Sequence, residues 1–123
     1  APLTNLGLDR IAKLTDLTAL NLVNTRITDE GLKHIGNLPN LRKLELGRNK
    51  EITDAGIVHL MGLKKLEKLN ISYTRVADEG LMKLSELPSL IYLDVRRTKV
   101  MPRGRDKFEK TSLGRKRGFR FMF

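Results

Sequence analysis

The chain's organisation is clearest in residues 41–57, which read LRKLELGRNKEITDAGI. Leu41, Leu44 and Leu46 have the spacing L-x-x-L-x-L. In the second half of this pattern apolar and polar residues alternate with a period of two, as in a short β-strand. The segment ITDAGI then leads to Leu60 and Leu63, an apolar spacing that indicates a helix. The stretch therefore predicts a strand, a turn and a helix in succession.

The same unit recurs along the chain. The L-x-x-L-x-L pattern returns at offsets of 24, 25 and 24 residues, and segments like ITDAGI occupy residues 27–32, 52–57 and 76–81. A repeat of this length is typical of a solenoid. The four copies of the strand pattern are Leu17, Leu20, Leu22; Leu41, Leu44, Leu46; Leu66, Leu69, Ile71; and Leu90, Leu93, Val95.

Neighbouring units must stack, because one unit alone cannot bury its apolar face. Strands about 4.8 Å apart form a continuous parallel sheet, and burying each leucine contributes roughly 1.5–3 kcal/mol. We therefore predict an α/β solenoid with helices starting near residues 29, 54 and 78 on the convex face. Its parallel sheet lies on the concave face, the side that points away from the helices. The side chains predicted to enter the core are Leu20, Leu22, Leu44, Leu46, Leu69, Ile71, Leu93 and Val95.

These spacings resemble those of leucine-rich repeat proteins, in the variants whose second half reads I-T-D-x-G-L, such as cysteine-containing, ribonuclease-inhibitor-like and bacterial repeats. The resemblance covers residues 3–100 and implies the α/β solenoid, while it says little about function. The family usually has an Asn in the turn after each strand that bonds to the backbone. Here only Asn49 occupies that position, and Thr25, Thr74 and Thr98 replace it elsewhere. A threonine hydroxyl can make a shorter version of the same bond.

Both ends depart from the repeat. Residues 1–16 match only its helical half, since Leu3, Leu8, Ile11 and Leu14 align with later helical positions. Full repeats are predicted at 17–40, 41–65 and 66–89, with another starting at 90 and a modified capping unit at 101–123. The first strand would have a bare edge, and bare edges associate. We expect a partner or a second copy of the chain to cover that edge.

The chain is strongly basic. Its 24 lysines and arginines exceed its 14 acidic residues by ten, and residues 101–123 alone hold eight basic and two acidic residues. Such an excess directs attention to anionic partners, whether acidic proteins, nucleic acids or membrane surfaces. The chain has no cysteine, no apolar run near the roughly 18 residues that span a bilayer and no evident signal peptide. We expect an intracellular protein without a transmembrane segment.

No catalytic or metal-binding constellation is evident. Asp29, Asp54 and Asp78 occupy one position in successive repeats, so we expect them to cap helices. His34 and His59 also lie one repeat apart, and two histidines without a third ligand make a poor metal site. The repeated glycines at 31, 56 and 80 indicate close helix packing. The sequence thus predicts neither an enzyme nor a cofactor or metal site.

A binding surface is better indicated. The outward positions of the strands predict a partner-binding concave face that is polar and mixed in charge. Beside it, basic residues recur in the turns and form what we call the basic ridge, a feature suited to an acidic partner. The concave-face residues are Lys43, Glu45, Lys68, Asn70, Tyr92, Asp94 and Arg96. The basic ridge consists of Arg26, Arg48, Lys50, Arg75, Arg97 and Lys99.

The C-terminal tail has two interpretations. Phe119 and Phe121 lie 26 residues after Leu93 and Val95, so they can close the core as a cap, with the interleaved cations facing water and extending the basic ridge. Alternatively, the mixture of basic and aromatic residues can contact phosphates and stack on bases, as nucleic-acid binding requires. The cations concerned are Arg115, Lys116, Arg117 and Arg120.

We therefore expect a non-catalytic protein-protein interaction module, a scaffold or a subunit of an assembly. It would bind another protein with an acidic surface through the concave face and the basic ridge. The alternative is binding to a nucleic acid or another anionic surface through the basic ridge and the tail. The dependence of affinity on salt separates the two.

Overall fold

A computed structural model of the protein describes residues 5–123 as a stack of strand and helix pairs. Five three-residue strands form one sheet in chain order: β1 (Ala19–Asn21), β2 (Lys43–Glu45), β3 (Lys68–Asn70), β4 (Tyr92–Asp94) and β5 (Arg120–Met122). All neighbouring strands are parallel. The helices are α1 (Asn5–Ala12), α2 (Asp29–Ile35), α3 (Asp54–Ile57), α4 (Asp78–Leu84) and α5 (Pro102–Glu109), and α3 continues as a 3₁₀ turn over Val58–Leu60. Each helix packs on the next. The predicted α/β solenoid is confirmed.

The repeat spacing predicted the strand register correctly. Leu20, Leu44 and Leu69 are partners in adjacent strands, and Leu93 continues the row. Seven of the eight predicted core side chains are buried, whereas Leu20 is half-buried. Leu20 differs because, among residues 5–123, no strand lies on the other side of β1.

The apolar layer of the first unit, residues 1–16, is only partly buried in the residues that the structure describes. Leu8 is buried and Ile11 half-buried, as their alignment with later helices predicts. Leu14 keeps the repeat position of Leu38, because Leu14 N–H donates to Ile11 O just as Leu38 N–H donates to Ile35 O, but Leu14 is 53% exposed whereas Leu38 is fully buried. The described part of the chain provides no strand beyond β1 to cover this layer. Leu3 lies outside the described residues, and a partner at the edge of β1 stays a prediction.

The turns after the strands are held by the predicted side chains. Asn49 donates through Nδ2 to the carbonyl oxygens of Leu22 and Leu46 and accepts the N–H groups of Thr25 and Ile27 at Oδ1, so it joins two repeats. Where threonine replaces it, the hydroxyl donates to a carbonyl three residues earlier. These bonds are Thr25 to Leu22 at 2.8 Å, Thr74 to Ile71 at 2.7 Å and Thr98 to Val95 at 2.7 Å.

We expected the repeated aspartates to cap their own helices, but their carboxylates bond to the next repeat instead. Each is the first residue of its helix, and its carboxylate accepts the N–H of the residue just before the next helix. Asp29 binds Thr53 N at 2.8 Å, Asp54 binds Ala77 N at 2.7 Å and Asp78 binds Met101 N at 2.8 Å. The stacked helices begin side by side, which brings each carboxylate to the neighbouring repeat.

The glycines at 56, 80 and 104 make room for these carboxylates, whereas Gly31 lies against Ile27 and Leu8. A Cβ atom added at Gly80 would collide with Asp54 Oδ1, and Gly56 and Gly104 stand in the same relation to Asp29 and Asp78. The predicted close helix packing is confirmed.

Replacing Gly80 with alanine should therefore destabilise the protein by about 1–3 kcal/mol, since the new methyl group overpacks the site and displaces Asp54 from Ala77 N. Urea unfolding measures the change. Gly62→Ala is the matched control, because a Cβ atom there meets nothing closer than 3.6 Å. Equal losses for the two variants would contradict this account.

The C-terminal unit is a cap whose register differs from the prediction. Phe121, not Phe119, pairs with Leu93, so the closing unit is two residues longer than the 26-residue spacing implied. The difference arises in the turns between α5 and β5, where Leu113 is buried. Phe119 and Phe121 are half-buried and pack on the core, while the fully buried ring is Phe108. Its centroid lies 5.8 Å from that of Phe119 and 4.7 Å from that of Phe121.

The outer side of the cap remains accessible. Phe123 is 54% exposed, and the guanidinium carbon of Arg105 lies 4.5 Å from the centroid of its ring. Arg105 stands where earlier helices have leucine. It is half-buried, and its Nε is buried without a hydrogen-bond partner among residues 5–123, so its contact with the Phe123 ring is made by a partly desolvated guanidinium group.

Candidate functional site

The concave face carries the predicted partner-binding residues in parallel rows that run across the strands. Because the strands are in register, Ala19, Lys43, Lys68 and Tyr92 form one row across the sheet, with Asn21, Glu45, Asn70 and Asp94 in the next. The first row ends on Arg120, which pairs with Tyr92. Arg120 thus lies on the concave face rather than beside the basic ridge, where we had placed it. The pairing of β5 with β4 is what brings it there.

Arg120 completes a shallow depression, which we call the first groove. The residues that line it include Lys43, Glu45, Lys68, Asn70, Tyr92 and Arg120. Lys43 Nζ lies 3.9 Å from Glu45 Oε1. Within residues 5–123, neither Lys68 nor Arg120 forms an ion pair. The groove therefore presents two uncompensated cations beside a half-buried tyrosine ring.

Asp94 and Arg96 act as a unit. The carboxylate of Asp94 is buried and accepts from Arg96 Nε at 3.1 Å, from Nη2 at 2.8 Å and from the backbone N–H of Arg96 at 3.0 Å. Hydrogen bonding to Asp94, and then the charge of that carboxylate, raise the pKa of Arg96 above its ordinary value. Sequence reasoning treated the two as separate contacts, but the buried Asp94 orients Arg96, whose side chain is 54% exposed.

All six residues of the basic ridge are exposed. Three of them have left-handed backbone conformations, with φ of 60° at Arg26, 62° at Arg48 and 59° at Arg97. Tyr73 occupies the same repeat position as Arg48 and Arg97 and has φ 57°. Sequence reasoning missed Tyr73, although its position between two ridge arginines was a usable signal.

Tyr73 joins the basic ridge to the concave face. The guanidinium carbon of Arg48 lies 4.3 Å from the centroid of the Tyr73 ring. A second depression, which we call the arginine pocket, surrounds this pair. It is lined by Arg48, Asn70, Ser72, Tyr73, Asp94, Arg96 and Arg97.

The remaining tail cations lie apart from the strands. Arg115, Lys116 and Arg117 are exposed in the turns between α5 and β5. The aromatic rings that the nucleic-acid interpretation required for base stacking, Phe119 and Phe121, pack against Phe108 instead.

Residues 5–123 hold no group of three or more His, Cys, Asp or Glu side chains that could bind a metal ion. None of their helices is long and apolar enough to cross a membrane. His34 and His59 are both half-buried.

Comparisons with known proteins agree with the repeat pattern. Among solved structures, the actin-binding site 2 of leiomodin-1 superposes with a TM-score of 0.67 at 18% sequence identity, covering 99% of this chain and 80% of that one. An internalin from Listeria monocytogenes superposes with a TM-score of 0.54 at 22% identity, covering 92% of this chain and 36% of that one. The search of curated proteins gave no match. The leucine-rich repeat family model matches residues 3–76. The chain belongs to the leucine-rich repeat family.

Proposed function

We propose that the chain is a non-catalytic module that binds an acidic surface of another protein through its concave face and basic ridge. The observation that carries the proposal is the first groove, where Lys68 and Arg120 flank Tyr92 without a compensating carboxylate. A flat aromatic residue between cations suits protein recognition, because it offers contact area at little cost in side-chain entropy. The superposed leiomodin-1 segment is named for binding actin, a protein partner. An intracellular setting, expected from a chain without cysteine, is part of the proposal.

Binding to nucleic acid is the second candidate. The exposed run of Arg115, Lys116 and Arg117 favours it, whereas the packing of Phe119 and Phe121 on Phe108 reduces the ring surface that is available for base stacking.

Replacing Lys68 and Arg120 together with glutamine should weaken binding to a glutamate-rich peptide by about twofold to thirtyfold, since each exposed ion pair contributes about 0.2–1 kcal/mol. Isothermal titration calorimetry at fixed ionic strength measures the change. The matched control is Arg115→Gln with Lys116→Gln, which removes the same charge from the tail.

Besides an unchanged affinity of the groove variant, two results would contradict the proposal. In one, the tail variant weakens peptide binding as much as the groove variant does. In the other, the chain binds oligothymidylate more tightly than the peptide, with an affinity that falls steeply as salt rises and that depends on the tail cations. The second result would establish the nucleic-acid alternative.

A further inference from the structure

The arginine pocket is rich in donors for an anion. Arg48, Arg96 and Arg97, which carry guanidinium groups, line it together with Ser72 and Tyr73, which carry hydroxyl groups. Its one carboxylate, Asp94, is committed to Arg96. The pocket therefore holds three positive charges against one negative charge, and bringing like charges together is unfavourable unless an anion compensates them.

Two of the three guanidinium groups are held in place. Asp94 binds Nε and Nη2 of Arg96, which leaves Nη1 available as a hydrogen-bond donor. Arg48 stacks on the ring of Tyr73, which leaves the edge of its guanidinium free for in-plane hydrogen bonds. Such preorganisation lowers the entropy lost when a ligand binds.

The backbone supports the same conclusion. Arg48, Tyr73 and Arg97 follow three successive strands with φ of 62°, 57° and 59°, a region that glycine and asparagine adopt at lower cost. Asn24 occupies this position in the first repeat, with φ 54°. Stability alone favours small residues here, so the large side chains are better explained by what they present to a ligand.

We infer that the arginine pocket binds a phosphoryl group carried by a side chain of the protein partner. A phosphomonoester has up to two negative charges near neutral pH and three acceptor oxygens, which matches donors arriving from successive repeats. A carboxylate has one charge and two oxygens, enough for one guanidinium group. Arg48 covers one face of Tyr73, which is the one aromatic ring among the described residues that line the pocket, so a protein-borne phosphate, which needs no ring to stack on, fits better than a nucleotide. This inference rests on the proposed protein-binding function.

The test uses small probes on the whole chain labelled with ¹⁵N, at fixed ionic strength. N-acetyl-phosphoserine amide should shift the side-chain Nε–H signals of Arg48, Arg96 and Arg97. It should also bind at least about tenfold more tightly than N-acetyl-glutamate amide. Inorganic phosphate should shift the same signals.

Three variants sharpen the test. Arg96→Lys keeps the charge but loses the bond geometry set by Asp94, and should weaken phosphoserine binding by about fivefold or more. Arg97→Gly removes a guanidinium group and relieves the positive φ, so it should weaken binding while melting no lower than the unaltered chain. Lys83→Gln removes an exposed charge on α4, outside the pocket, the concave face and the basic ridge, and should leave binding unchanged.

Several outcomes would overturn the inference. Equal binding of the phosphoserine and glutamate amides would show a general anion surface, and so would a loss for Lys83→Gln equal to that for Arg96→Lys. Binding of inorganic phosphate without the phosphoserine amide would point to a free anion, and stronger shifts with oligothymidylate would point to nucleic acid. If phosphoserine fails to bind while the Lys68 and Arg120 replacements still weaken peptide binding, only this inference fails. If those replacements have no effect, the proposed function fails.

Discussion

Removing residues 114–123 is expected to destabilise the protein by about 5 kcal/mol, a large share of the stability of a typical domain. The deletion takes away β5 and the half-buried rings of Phe119 and Phe121, which cover Phe108 and Leu93. Each lost aromatic ring exposes apolar surface, and β4 loses its neighbour on that side. Because each repeat is stabilised by the next, the damage should spread inward from the uncovered end. Thermal melting followed by circular dichroism measures the effect.

Deletion of Phe123 alone is the matched control for this truncation. That residue is 54% exposed and lies beyond β5, so its removal should cost no more than about 1 kcal/mol. If the truncated chain melts like the full chain, residues 114–123 are an arm rather than a cap. Nucleic-acid binding by the tail would then become the better hypothesis.

Replacing Leu44 with alanine should cost about 2–5 kcal/mol. Leu44 lies in β2 between Leu20 and Leu69 and has no exposed surface. The repeat packs tightly around it on both sides, so the cavity left by the missing side chain can collapse only partly. Urea unfolding measures the loss of unfolding free energy. An unchanged m-value would show that the loss comes from the stability of the folded state rather than from a changed unfolded state.

Leu20→Ala provides the comparison, because Leu20 occupies the same position in β1 but is half-buried. We expect it to cost roughly half as much as Leu44→Ala, in proportion to the smaller apolar area removed from water. Equal costs would mean that β1 is as fully packed as β2, and that another element covers its outer edge in solution.

The apolar spacing was sufficient to predict the sheet. Leu44, Leu69 and Leu93 are separated by nearly constant offsets. When one face of a strand must be buried, the register of the strand is fixed, because a shift of one residue would turn every leucine outward. The positions of Lys43, Lys68 and Tyr92 on the concave face follow from the same rule. The register of the tail did not follow, since turns of irregular length separate α5 from β5.

Side-chain partners between repeats were less accessible to sequence reasoning. The position of Asp54 at a helix start was predicted, but its bond to Ala77 depends on how two helices lie side by side. Phe108 was overlooked because its helix is highly charged, and its burial requires the rings of the returning tail.

The amino-acid sequence by itself determined the repeat, its strand register, the family and the basic character of one edge. Periodic burial is a local property, since each leucine enters the core wherever its neighbours repeat the pattern. Only the tertiary structure decided that Arg120 joins Tyr92, that Asp94 orients Arg96 and that Arg48 stacks on Tyr73. The contact between Arg48 and Tyr73 depends on left-handed backbone conformations at both residues. Arg and Tyr rarely adopt that conformation, so the sequence did not predict it. The arginine pocket arises from turn geometry repeated across the stack.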